Sequence, residues 1–356
     1  MRRPSGWRAW IALAVVILLL GTVLLVGDGL APEPTPLPGP PQNAPRVLVA
    51  LGDSTVSGEG AGDYEPGTDG ENGDWCHRSP HASINETGLQ PIDRVYNLAC
   101  SGAPSPQVGL GDVEQYTEPS QAKRLAPIAA RNRVVAVVVA AGANDEPAFS
   151  HVLNACVEAW TGRGRPCGET VGPEWSDRVE AMEPKLTRAL EDVREVMRNA
   201  GYAESDYQLV VQSYAAPVGP DVVADLQDLS GCPFRTEDLE WVQQKAVPIL
   251  TAGVREAAAK VGARFLDLSR AGVGHEACTH EKDTSQEWFR RLAVEWEDLQ
   301  HEDRATHALQ ESFHPNEAGH EQIGRCLGEF LNTPDRAAAC LPGRDGSLHA
   351  ATSTGS

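Results

Sequence analysis

An apolar run, RVLVAL at 46–51, ends in Gly52-Asp53-Ser54-Thr55-Val56-Ser57-Gly58-Glu59-Gly60. Glycines on both sides permit a sharp turn, and a serine placed there is offered to a ligand together with its own N–H. A second run ends in Gly142-Ala143-Asn144-Asp145. An asparagine amide is a neutral donor that stabilises negative charge without competing as a base. Between them Cys100-Ser101-Gly102-Ala103 follows a third run, and Gly102 can turn its N–H into the same space. Near the C-terminus stands Glu311-Ser312-Phe313-His314-Pro315-Asn316, with proline at the first position of a helix. Each block alone reads as a turn. Together they hold a hydroxyl, an imidazole and hydrogen donors, the parts of an acyl-transfer site.

Such parts must be carried by rigid elements. Five apolar runs read as strands, at 46–51, 94–98, 133–141, 207–214 and 263–268. The third, RVVAVVVAA, is apolar at successive residues, as in a parallel sheet covered on both faces. Helical periodicity marks 175–200, 236–261 and 315–331, and Pro184 predicts a kink or break in the first. Alternating strands and helices imply one α/β domain with a parallel sheet of about five strands. Ligands bind such sheets beyond the carboxyl ends of the strands.

The 356 residues carry 30 Lys and Arg against 50 Asp and Glu, a net charge of −20. That surface repels phosphate backbones and excludes nucleic-acid binding. Residues 1–31 hold three arginines and then an uncharged stretch, WIALAVVILLLGTVLLV, which reads as a membrane anchor with its N-terminus inside or as a cleaved export signal. A buried core helix is the third reading. Residues 32–45 are proline-rich and predict an extended linker, roughly 40 Å long at ~3.1 Å per residue. The domain then spans 46–340, and the polar tail 341–356 is expected to be disordered.

All eight cysteines (Cys76, Cys100, Cys156, Cys167, Cys232, Cys278, Cys326 and Cys340) follow the linker and form no C-x-x-C pair. An even number in an exported domain predicts four disulfides. Roughly a hundred connectivities exist, and joining neighbours along the chain closes the shortest loops. The acidic, Gly-rich stretch 60–92 reads as a functional or disulfide-stapled insertion. No spacing asks for a metal or cofactor. The nearest candidate, His275-Glu276 with His280-Glu281, reads as solvent-facing.

The blocks GDS-x-x-x-G-x-G, G-x-N-D and H-P, in this order, resemble the SGNH hydrolases, also called the GDSL esterases and lipases. The resemblance runs from Arg46 to about Cys340 and implies a flavodoxin-like three-layer α/β/α fold. It makes Ser54 the nucleophile, His314 the general base, and the Ser54 N–H, the Gly102 N–H and the Asn144 side chain the oxyanion donors. DWCHRSPHA at 74–82 looks like the exported actinobacterial branch, whose members typically carry three disulfides, so the loop from Cys326 to Cys340 is an addition. The family commonly has Asp three residues before the histidine. Here Glu311 stands there, and it is the expected triad acid, with a main-chain carbonyl as the alternative found in some relatives. Asp53 and Asp145 are rival carboxylates better read as turn residues.

The expected function is therefore serine-dependent hydrolysis of carboxylic esters by a monomer that touches a membrane only through its N-terminus. Two other readings use the same residues differently: a carbohydrate O-acetylesterase of the cell envelope, and a non-catalytic envelope-binding domain. An apolar acyl slot favours lipid, whereas an acidic or aromatic cleft favours sugar.

Overall fold

In the computed structural model of the protein the described residues are 37–352 apart from 146–148, 282, 302–303 and 306, together with Trp7, Trp10, Ile11 and Ala14. Residues from Gly39 onward form one compact unit, and residues up to Pro38 fall in another. The larger unit is built on a seven-stranded sheet. Its strands are β1 (Arg46–Gly52), β2 (Arg94–Asn97), β3 (Arg133–Ala140), β4 (Gln208–Gln212), β5 (Arg264–Asp267), β6 (Ala337–Pro342) and β7 (Leu348–Thr352), in the order β2-β1-β3-β4-β5-β6-β7. All pair in parallel except β7, which returns antiparallel to β6. Apart from the two added strands this is the flavodoxin-like order, with helices completing three α/β/α layers. Both faces of β3 are covered, which is why its apolar residues run without alternation.

The helices are α1 (Ser54–Ser57), α2 (Ser105–Val108), α3 (Gln121–Ala129), α4 (Phe149–Thr161), α5 (Cys167–Thr170), α6 (Gly172–Asn199), α7 (Thr236–Trp241), α8 (Val247–Lys260) and α9 (Glu317–Leu331). Along α6 one face, with Val179, Met182, Leu186, Leu190, Val193 and Met197, is buried, and the helix runs between α3 and α8. Pro184 does not break it. The predicted helix at 236–261 is instead divided by a π-turn over Val242–Ala246. Pro248 lacks an N–H for the carbonyl of Gln244 and its ring would crowd it, and the wider turn relieves both problems.

Four disulfides join Cys76 to Cys100, Cys156 to Cys167, Cys232 to Cys278 and Cys326 to Cys340, the neighbour pairing read from the sequence. The first staples the 60–92 insertion to the end of β2, and the last ties α9 to β6.

Two boundaries differ from expectation. Residues 341–352 are ordered, because β6 and β7 form a hairpin whose turn is closed by the Gly343 N–H on the Ser347 carbonyl at 2.7 Å. The linker joins the domain before Arg46, through the Gly39 N–H on the Gly201 carbonyl at 3.0 Å and the Arg133 N–H on the Pro45 carbonyl at 2.8 Å. The uncharged stretch from Trp10 onward lies outside the described residues but for Trp10, Ile11 and Ala14. No helix among the described residues is long and apolar enough to cross a membrane.

Candidate active site

The site lies at the carboxyl ends of β1 and β3, where the strand order reverses. Gly52 closes β1 at φ +135°, and a Cβ there would stand 1.9 Å from the Ala140 carbonyl oxygen, so only glycine fits between the two strand ends. Beyond the ladder the Gln121 amide takes over, accepting from the Gly52 N–H at 2.6 Å and donating to its carbonyl at 2.8 Å. Asp53 then caps α1 and accepts from the Thr55 N–H, the Thr55 hydroxyl and the Tyr214 hydroxyl at 3.1, 2.8 and 2.6 Å. Burial pushes its carboxyl above the usual range against those hydrogen bonds. Ser54 follows as the first residue of α1, and its side chain emerges at the edge of the cleft.

His314 reaches this serine from 260 residues away: its Nε2 stands 2.8 Å from Ser54 Oγ. The loop carrying it is held by the Arg290 N–H on the His314 carbonyl at 2.9 Å and the His314 N–H on the Glu311 carbonyl at 3.3 Å. After it, the Asn316 side chain caps α9 by accepting from the Gly319 N–H at 2.9 Å. Phe313 sits at φ +61°, a strained conformation for a bulky residue, and its ring packs 5.0 Å from Phe234. Imidazole placement therefore rests on tertiary packing.

Gly102 adopts φ +75° and lines the same cavity as Ser54, Asn144 and His314. No hydrogen bond to another described group takes up the backbone N–H of Ser54 or of Gly102. Two buried links hold these donors together. The Tyr214 hydroxyl accepts from the Ala143 N–H at 3.2 Å while donating to Asp53, and Asp145 accepts from the Ser105 N–H and hydroxyl at 3.2 and 2.5 Å. Asp53 and Asp145 are thus the turn and network residues expected of them.

The cavity measures about 540 Å³. Its lining includes the apolar side chains of Leu153, Val157, Val247, Leu250, Phe289 and Phe313 and the polar ones of Ser101, Tyr116, His307 and Gln310.

Glu311 is not brought to His314. Its Oε1 accepts from the Tyr64 hydroxyl at 2.5 Å and its Oε2 lies 3.2 Å from Arg290 Nη1. His314 Nδ1 is buried and has no hydrogen-bond partner among the described residues. The side-chain triad that the resemblance implies is thus not assembled here: Ser54 and His314 meet, and Glu311 is engaged elsewhere.

Sequence reasoning missed a buried polar cluster behind the site. Glu59 accepts from the Ser101 hydroxyl and, at 2.8 Å, from Gln310 Nε2, and pairs with His77 Nδ1 at 2.7 Å. Burial opposes its ionisation, yet the hydrogen bond and charge of His77, with a contribution from His314, hold its carboxyl below the usual range. Burial works against the imidazolium of His77 too, but the carboxylates of Asp69 and Glu59 push its pKa up to about 9. The Asp69 contact, 3.3 Å from Nε2, is an ion pair without hydrogen-bond geometry. His320, fully buried, accepts at Nδ1 from the Ser83 N–H at 3.3 Å and faces the Glu59 carbonyl at 3.2 Å through Nε2; burial holds its pKa down to about 4. The available signal was a glutamate between two glycines in a turn otherwise built for tight packing.

The His275 to Glu281 loop departs from its solvent-facing reading at Glu276, which is buried and accepts from Gln243 Nε2 and the Gly274 N–H at 2.5 and 2.8 Å. Two acid and cysteine groupings lie close enough to suggest ligation, Cys76 with Cys100 and Glu118, and Cys156 with Cys167 and Asp238. Their sulfurs are already joined in disulfides, and thiolate, not disulfide, is the metal ligand.

The model of the GDSL-like Lipase/Acylhydrolase family matches residues 50–322. Lipase 2 of Streptomyces coelicolor is 28% identical over 273 residues, spanning 73% of this chain and 83% of that protein. Among solved structures, the extracellular lipase from Streptomyces rimosus superposes with a TM-score of 0.53 at 19% identity, over 81% of this chain and 100% of the other. Phospholipase A1 from Streptomyces albidoflavus gives 0.50 at 22% identity, over 81% and 97%. At these identities the two superpositions speak for the fold alone.

Proposed function

The chain belongs to the GDSL-like Lipase/Acylhydrolase family and is a carboxylic ester hydrolase, and from that premise we propose that Ser54 is its nucleophile and His314 its general base. The observation that carries this reading is the 2.8 Å separation of Ser54 Oγ and His314 Nε2, both in the lining of one cavity. His314 Nε2 takes the hydroxyl proton as Oγ attacks the ester carbonyl. The oxyanion is received by the N–H groups of Ser54 and Gly102 and the amide of Asn144. The imidazolium then returns its proton to the departing alcohol, and water repeats the sequence on the acyl-enzyme.

The apolar wall supports an aliphatic acyl chain as the buried half of the substrate. Leu153, Val157, Val247 and Leu250 in the lining offer aliphatic contact to such a chain, beside the aromatic rings of Tyr116, Tyr214, Phe289 and Phe313. Burying each methylene contributes about 0.8 kcal/mol, so chain length should be felt strongly in kcat/KM. A serine-directed fluorophosphonate that labels Ser54 in the wild type, combined with a series of p-nitrophenyl esters from acetate to palmitate, tests both halves. Failure to label removes the nucleophile assignment. A preference for acetate over every longer chain replaces the lipid or simple-ester reading with the acetylesterase one.

Four disulfides fit an extracytoplasmic protein. The arginines and uncharged stretch of residues 1–31 support either a retained anchor or a cleaved signal, and mass spectrometry of the mature N-terminus distinguishes them.

A further inference from the structure

Glu59 is fully buried, and its partners come from four separate stretches of chain. Oε2 accepts from the Ser101 hydroxyl, beside Gly102, and from Gln310 Nε2, four residues before His314. Oε1 faces His77 Nδ1 at 2.7 Å and the Tyr64 hydroxyl at 3.5 Å. Its backbone N–H donates to the Ser54 carbonyl at 3.2 Å, and its carbonyl faces His320 Nε2 at 3.2 Å. The next residue is bound as tightly: Gly60 donates to the Tyr64 hydroxyl at 3.0 Å and accepts from Arg290 Nε at 2.6 Å. One acid therefore touches the nucleophile turn, the oxyanion turn and the histidine loop.

We propose that Glu59 is a positioning residue of this active site: its carboxylate, ion-paired to His77, keeps the Gly102 turn and the His314 loop in register. The proposal rests on the reading of Ser54 and His314 above. A carboxylate is required because both oxygens face donors. A glutamine would turn its NH₂ against the Ser101 hydroxyl and Gln310 amide in one orientation and against His77 in the other. Glu311 cannot take this part while it is committed to Tyr64 and Arg290. The effect belongs in the transition state, where the imidazolium and the oxyanion exist together, so it should fall on kcat rather than KM.

The test compares Glu59→Gln, Ser101→Ala, the double variant and Ser54→Ala by circular dichroism and by kcat and KM on p-nitrophenyl butyrate. Glu59→Gln should lose about 10²-fold in kcat with KM within about twofold, the scale set by an ångström of misplacement. Ser101→Ala, which removes one donor, should lose about tenfold, and the double variant should be no slower than Glu59→Gln alone because the two act as a unit. A folded Glu59→Gln with kcat within threefold of wild type overturns the proposal, as does a loss confined to KM. Should Glu59→Gln fail to fold, Ser101→Ala decides alone, with wild-type kcat overturning it. An active Ser54→Ala would instead remove the reading of Ser54 and His314, whereas an inactive Ser54→Ala beside a fully active Glu59→Gln removes only the role of Glu59.

Discussion

The Tyr64 hydroxyl donates to Glu311 Oε1 at 2.5 Å, and with Arg290 on its other oxygen the acid three residues before His314 is engaged with the 60–92 insertion instead of the imidazole. Replacing Glu311 should consequently be mild. Glu311→Gln is expected to lower kcat by less than about tenfold, against 10³-fold or more for His314→Ala, a group the reaction cannot do without. Equal losses in both would return Glu311 to the role of triad acid.

Removing an oxyanion donor should cost more than removing Glu311. Asn144→Ala is expected to reduce kcat by about 10²-fold to 10³-fold with KM little changed. Gly102→Ala should do comparable damage for a different reason: at φ +75° an added Cβ is strained and meets Gln115 Nε2 at 2.9 Å, which shifts the N–H. Steady-state kinetics on one short ester measures both. Wild-type turnover in Asn144→Ala would exclude its amide from the oxyanion site.

Val157, on α4, lines the apolar wall. Val157→Trp fills part of the cavity, and kcat/KM for decanoate should fall at least tenfold while that for acetate stays within about threefold, since each displaced methylene is worth about 0.8 kcal/mol. A uniform drop across the chain-length series would mean that acyl chains do not enter this space.

The Cys326 to Cys340 bond closes a 14-residue separation between α9 and β6. Replacing both cysteines with alanine should cost about 2 to 4 kcal/mol of stability, read from the denaturant midpoint, with kcat nearly unchanged. Lost activity at temperatures where the variant remains folded would tie the hairpin edge to the site.

Stability should also peak near neutral pH. His320 holds its pKa at about 4 in the folded protein against an ordinary 6.5, so between these values the unfolded chain binds the extra proton and stability falls as pH drops. Glu59, held below its usual range, adds a further loss at lower pH. His77 is raised to about 9, so its contribution is complete below 6.5 and is lost as pH rises through 9. Urea midpoints from pH 5 to 9.5 should trace this dome, and His77→Gln should flatten its alkaline limb. An alkaline limb of unchanged slope in that variant would remove His77 as its cause.

Five strands and the two helices at 175–200 and 315–331 were legible because each depends on local pattern, whereas the blocks at Ser54, Gly102, Asn144 and His314, each a plain turn alone, stood out only as an ordered set that resembles a family. Apolar runs bury on both faces, and glycine with polar residues marks a strand end. The edge strands β6 and β7 were not. Ala337–Pro342 is short and alanine-rich, and Leu348–Thr352 lies in a polar tail, so neither has the β-branched run that betrayed β3. Pro342-Gly343 and Asp345-Gly346 were the turn signals available.

Chain order thus determined the sheet and its ligand edge, since periodicity and turn chemistry act over a few residues at a time. Only the folded chain decided which acid serves which partner. Glu311 stands three residues from His314 yet binds Tyr64, 247 positions away, while Glu59 draws its side-chain partners from 5 to 251 positions off. A buried carboxylate goes to whichever donors the packed loops bring within about 3 Å of it, and nothing in linear spacing encodes that distance.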